Sequence, residues 1–219
     1  MNKTTLEYII SAPAQGFCPL NKNLTEAQLD EYKKGTLALT QIVKDNITKE
    51  CKHYTPKLSC LFNAYTEKQI LPSLARFGNL GLKTFYADSG GLQIVTAGKT
   101  VSEELKHEIY KVQTYADYAF CFDIIPLSRA EGAKRTRNER SNNSNKIYNS
   151  NDLLESGLAT GLNVKEQIST FRKMKAKTKV VLIVQGNTHQ DMVTFYKQMV
   201  SVFDEEDYDG IIQWIKHFF

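Results

Sequence analysis

No apolar run in the sequence approaches the roughly 18–20 residues that a membrane-crossing helix needs. The start, MNKTTLEYIISAPAQ, carries a single lysine and too short an apolar stretch for a signal peptide, so a cytosolic protein is expected. Paired cysteines are also missing. Cys18, Cys51, Cys60 and Cys121 stand far apart with no C-x-x-C or C-x-C spacing, which indicates reduced thiols and no zinc site. Cys121, inside the apolar run YAFCFDII, reads as a small buried hydrophobe. No G-x-G-x-x-G follows the first strand-like run, where SAPAQGF stands instead, and no G-x-x-x-x-G-K-[ST] occurs, so the sequence signs of dinucleotide and P-loop sites are lacking. Charge of one sign is not in large excess: the net +4 does not by itself imply nucleic acid, and its distribution matters more than its sum. What is present is globular. With 219 residues, 42% hydrophobic and 24% charged, the chain supports one sizeable domain, read here as spanning 1–219.

Short β-rich runs recur at 6–11, 58–65, 83–88, 118–125, 179–185 and 209–215. Several are apolar without strict alternation, as strands covered on both faces are. Helical patterns lie between them. The spacing predicts helices over 25–47, capped by Thr25 and open to a break at Gly35, and over 67–77, with Pro72 as a kink or late start. Further helices are predicted over 102–115, opened by Ser102, Glu103 and Glu104; over 163–175, capped by Asn163; and over 190–203, capped by Thr188 or a neighbour. Such β/α alternation implies a parallel sheet, either open and doubly wound or closed as a (β/α)₈ barrel. Polar residues follow the C-terminal ends of three strands: Asp88 and Ser89, Asp123, and Gln185 with Gly186. Barrels place their catalytic groups on that rim, so the TIM-barrel type is favoured.

One segment breaks the rhythm. Residues 129–153, RAEGAKRTRNERSNNSNKIYNSNDL, are rich in Asn, Ser and Arg and read as a long basic loop. Lys134, Arg135, Arg137 and Arg140 are its candidate phosphate contacts, and a second basic cluster follows at Arg172, Lys173, Lys175, Lys177 and Lys179. A solvated loop and ordinary charge complementarity at a helix end account for the same residues.

The sharpest local signal is ADSGGLQI, residues 87–94. A strand delivers Asp88; Ser89, Gly90 and Gly91 let backbone approach a ligand closely; and Gln93 adds an amide able to read a planar edge. A plain Gly-Gly turn has the same spelling. His189 and Asp191 in GNTHQDM suit helix capping better than an acid–base or metal pair. Tyr86 and Tyr118 suit packing between sheet and helices, or stacking on a base near the rim, and Trp214 suits the core.

Taken together, DSGGLQ (88–93), KVQTYADYAFCFDIIP (111–126) and IVQGNTHQDM (183–192) resemble the tRNA-guanine transglycosylase superfamily, whose members exchange a guanine base for a 7-deazaguanine in nucleic acid. DSGGLQ is similar to that family's DSGGFQ and IVQG to its VQGG segment, in the same order and at similar spacing, over most of the chain beyond residue 55. The resemblance implies that Asp88 handles a proton on the departing or incoming base, and that Ser89, Gly90 and Gly91 shape the pocket floor. It further implies that Gln93 lies at the same site and that Asp123, Gln185 and Gly186 hydrogen-bond the purine. The compact segment after DSGGLQ, where the tRNA enzymes carry an extra hairpin, makes the pattern more like the phage and bacterial relatives that modify DNA.

The resemblance also implies departures. The family's nucleophilic aspartate and its structural zinc site would both fall beyond Phe219, so no metal or cofactor is expected within these residues, and a second subunit or further C-terminal part is implied for catalysis. Six strands are two short of eight. The expected partners are guanine or a 7-deazaguanine base and DNA or tRNA, with no membrane. The alternatives are a truncated or non-catalytic member that binds base or polynucleotide, and an unrelated barrel enzyme acting on a small metabolite.

Overall fold

The computed structural model describes residues 4–11, 25–52, 54–68, 81–91, 94, 101–126, 150–186, 188–204, 208 and 210–215. Their elements alternate: β1 (Thr4–Ser11), α1 (Glu26–Glu50), β2 (Tyr54–Asn63), β3 (Phe85–Asp88), α2 (Glu103–Gln113), β4 (Tyr118–Phe120), α3 (Ser150–Lys173), β5 (Lys179–Gly186), α4 (His189–Val200) and β6 (Gly210–Ile215). The strands form one six-stranded sheet in the order β1-β2-β3-β4-β5-β6, and every neighbouring pair is parallel. Sequential order means that these strands contain no reversal of direction along the sheet, the place where an open doubly wound sheet binds its ligands. The fold is therefore mixed α/β with a singly wound parallel sheet. Closure into eight strands is not seen among the described residues.

Three helix starts follow from local chemistry. Thr25 and Gln28 exchange bonds in a capping box, Ser102 accepts from the Leu105 N–H, and Thr188 and Asp191 form a second box. α1 runs unbroken through Gly35, because one glycine weakens a helix without ending it and Lys33, Lys34, Leu37, Ala38 and Leu39 around it are good helix formers. Its buried Thr36 and Thr40, with Val43 and Ile47, turn toward the sheet.

Two further expectations change. Asn163 is no cap: α3 begins at Ser150 and carries Asn163 in its middle, so the basic loop as read from the sequence gives up its last residues, Ser150–Leu153, to a helix. Leu153 is buried in the core, which accounts for that extension. The fourth strand stops at Phe120, five residues early. The helix expected over 67–77 lies mostly outside the described residues.

Alternation along the strands separates the two faces. Leu58, Cys60, Phe62 and Ala87 join α1 and α2 in one cluster, while Ala119, Val180, Leu182 and Val184 join α2, α3 and α4 in another. The opposite face carries a polar and aromatic row. There Glu7 accepts from Lys57 Nζ at 2.8 Å, buried Ser59 Oγ at 2.6 Å and Tyr86 OH at 3.0 Å, and Tyr86 stacks on Tyr118 at 5.2 Å between centroids. Burial followed by the negative Glu7 pushes the Tyr86 phenol up to about 12, so it stays a donor. No helix among the described residues is long and apolar enough to cross a membrane.

Candidate functional site

Four polar side chains stand where strands deliver them, at the C-terminal edge of the sheet. Asn63 ends β2, Asp88 ends β3 as its register partner, and Gln185 is next to last in β5. The fourth, Asp123, lies on an extended segment that continues past β4, and α3 holds that segment. Thr160, Asn163 and Gln167 repeat at three and four residues, which puts them on one helical face. Thr160 Oγ1 accepts from the Ile124 N–H at 2.8 Å, and Asn163 Nδ2 donates to the Phe122 carbonyl at 3.0 Å. Gln113 of α2 donates to the Phe120 carbonyl at 2.9 Å and to that of Ala87 at 3.2 Å, and accepts from Gln167 at 2.8 Å. Buried backbone polar groups need partners, and here helix side chains supply them for Phe120, Phe122 and Ile124, while the Cys121 N–H still donates to the Val181 carbonyl of β5 at 2.9 Å.

Asp123 and Gln185 are both buried, and Gln185 Nε2 donates to Asp123 Oδ2 at 2.5 Å. Asp88 accepts from Asn63 Nδ2 at 3.1 Å and from the N–H groups of Gly90 and Ser89. Asn63 in turn accepts from the N–H groups of Tyr65 and Thr66 at 3.1 and 2.9 Å, which fixes the amide that meets Asp88. The glycines are demanded by space. Gly90 has φ +76°, and a Cβ there would stand 2.6 Å from Tyr65 Cβ. A Cβ on Gly91 would stand 3.2 Å from the Asp123 carbonyl oxygen and 3.8 Å from its Oδ1, so the glycine keeps one side of that carboxyl clear.

Burial pushes the Asp123 carboxyl up to about 6; the Gln185 hydrogen bond opposes the rise and the charge of Asp88 adds to it. Asp88 is also raised by burial, against the pull of the Gly90 and Ser89 N–H groups. Two raised carboxyls that feel each other resist double ionisation, and Asp123 holds or releases its proton around pH 6. Such a pair can accept from a donor-rich planar edge or carry a proton to and from a bound base. The thiol of Cys121, which accepts from the Ile183 N–H at 3.2 Å, is pushed well up by burial and is no nucleophile.

Asp88, Ser89, Gly90, Gly91, Asp123 and Gln185 thus come from separate stretches of the chain to one edge. Gly186 sits beside them in a different role: a Cβ there would stand 2.7 Å from the Met192 backbone nitrogen, so the glycine admits the first turn of α4. Gln93 and the loop residues Lys134, Arg135, Arg137 and Arg140 lie outside the described residues. Thr188 and Asp191 cap α4. Asn63 escaped the sequence reading, although a polar residue closing the apolar run LSCLFN is the signal that marked the other strand ends. Among the described residues no group of three or more His, Cys, Asp or Glu could hold a metal ion. The sequence matches no protein-family model, and no curated protein matches it.

Proposed function

We propose that the protein is a base-exchange glycosyltransferase of the guanine transglycosylase type, acting on DNA or tRNA in the cytoplasm, with its six strands belonging to a (β/α)₈ barrel. The observation that carries the reading is the buried Asp123–Gln185 pair at the sheet edge, with Asp88 close enough to raise it and Gly91 clearing its flank. A guanine-like edge presents N1–H and an exocyclic amine as adjacent donors, which one carboxylate accepts together, and a carbonyl that accepts from an amide. Asp123 takes the donors, and Gln185, released from Asp123, turns its amide to the carbonyl. Asp88 exchanges a proton with the base as the glycosidic bond breaks or forms. The basic residues of the loop supply contacts to phosphates.

A second reading, a chain that binds the base without exchanging it, is favoured by the count of carboxylates. Asp88 and Asp123 are both assigned to the base, and the nearby Glu67 carboxylate is engaged by the Asn63 N–H at 3.0 Å, whereas exchange with retention at the sugar needs a carboxylate on the opposite face. Calorimetry with a 7-deazaguanine base tests the shared part of both readings. Asp123→Ala leaves the ligand's donors unpaired and should weaken binding by about 1–3 kcal/mol or more. Unchanged affinity rejects the site. Incorporation of labelled guanine into DNA or tRNA then separates exchange from binding.

A further inference from the structure

We propose that the cavity at the opposite end of the sheet binds a small phosphate-bearing molecule. It measures about 330 Å³ and opens where β3, β4 and β5 begin; Lys83, Thr84, Asp117, Tyr118, Lys177 and Lys179 line it. Two separate stretches entering the sheet on either side of β4 bring the cations together: Lys83 precedes β3, while Lys177 precedes β5 and Lys179 is its first residue. Neighbouring strands lie about 4.8 Å apart, so β3 and β5 stand roughly 10 Å apart across β4, a gap that long lysine stems can close around an anion.

The charge there is one-sided. Asp117 is the acid lining the cavity, and its Oδ2 already accepts from the Phe85 N–H at 2.8 Å. Neither the Lys83 nor the Lys177 ammonium has an ion-pair or hydrogen-bond partner among the described residues. Thr84 adds a neutral donor to the basic lining. The residue is 6% exposed and lines the cavity, and its hydroxyl, which has no protein partner among the described residues, is open to the cavity and not sealed in the core. Uncommitted ammonium groups around a hydroxyl open to the cavity suit phosphate oxygens, which take several charge-assisted bonds at once. The Tyr118 ring is already stacked on Tyr86, with Lys179 Nζ 5.8 Å from its centroid, which disfavours an aromatic ligand. The volume lies at the small end of ligand pockets, fitting a diphosphate or small phosphate ester.

Inorganic pyrophosphate titrated into the full chain is the test, with a short oligonucleotide in a parallel arm. Wild type should take up pyrophosphate saturably at one site. The double variant Lys83→Gln/Lys177→Gln should lose roughly tenfold or more in affinity, a change of about 1.4 kcal/mol or more. Thr84→Val should weaken binding several-fold, and the thermal midpoint of the double variant should stay at the wild-type value because both lysines are exposed. No uptake at millimolar pyrophosphate, or equal affinity in the double variant, overturns the proposal. Tighter binding of the oligonucleotide, lost in the same variants, would assign the cavity to a nucleic-acid backbone and overturn the small-molecule occupant. Affinity for a 7-deazaguanine base at the far edge should be the same in all these variants.

Discussion

Replacing Asp123 with asparagine should make the protein more stable at neutral and alkaline pH. The amide keeps an oxygen for Gln185 Nε2 and discards a charge that is costly to bury. The folded carboxyl holds its proton up to about pH 6, against an ordinary value of 3.8. Between those values the native state binds more protons than the unfolded chain, so stability falls as the pH rises through that window and levels off above it. The full effect is about 3 kcal/mol, at 1.36 kcal/mol for each tenfold change in proton affinity. Asp123→Asn escapes this loss. Its advantage should be about 3 kcal/mol at pH 8 and about half that at pH 5, where the native carboxyl is already mostly protonated. Urea denaturation at the two pH values gives the comparison, and the thermal midpoint at pH 8 should rise by roughly 6–12 °C for a chain of this size. A variant no more stable than wild type at pH 8, or an advantage that does not shrink on acidification, would refute the argument. Stability gained by removing one carboxylate marks a residue kept for a task other than folding.

Two further substitutions probe how the site is held. Asn163→Leu strips the Phe122 carbonyl of its donor and Lys106 Nζ of an acceptor at 3.2 Å, and should cost about 1–3 kcal/mol in urea denaturation; a neutral result would mean that the segment bearing Asp123 is fixed by other contacts. Gly90→Ala forces a side chain into a left-handed conformation against Tyr65 and Asn63, and should lower stability by about 1–3 kcal/mol, which an unchanged thermal midpoint would contradict.

Periodic apolar runs made the alternation legible, and hydroxyl residues before acidic turns gave the starts of α2 and α4. Polar residues at the ends of apolar runs point to Asp88, Asp123 and Gln185 from the sequence alone. α3 was misread for a physical reason. An asparagine in front of an apolar run has the spelling of a cap, but Asn163 is spent on the Phe122 carbonyl and Lys106, partners remote in sequence. The early end of β4 has the same origin. YAFCFDII is as apolar as a full-length strand, and only the polar face of α3 shows that its last part pairs with side chains. Gly35 misled in the other direction, since a glycine weakens a helix without ending it when the flanking residues favour continuation. Asn63 shows the limit of reading strand ends singly, because its importance rests on being the register partner of Asp88 across the sheet.

The bonds from Thr160 and Asn163 to the segment after β4, and from Gln167 to Phe120 at its root, tie the fate of Asp123 to a helix as well as to β5. α3 is itself pressed against α4 at Gly157 and Gly161, where added side chains would collide with the carbonyl oxygens of Phe195 and Met199. Proteins open in cooperative units that need not coincide with their sheets. In native-state hydrogen exchange, the amide of Ile124 should therefore lose its protection together with the amides of α3 and earlier than those of β5. Fraying of that helix would leave the strand ladders closed and loosen the backbone beneath one of the two carboxyls while that of the other stayed in place.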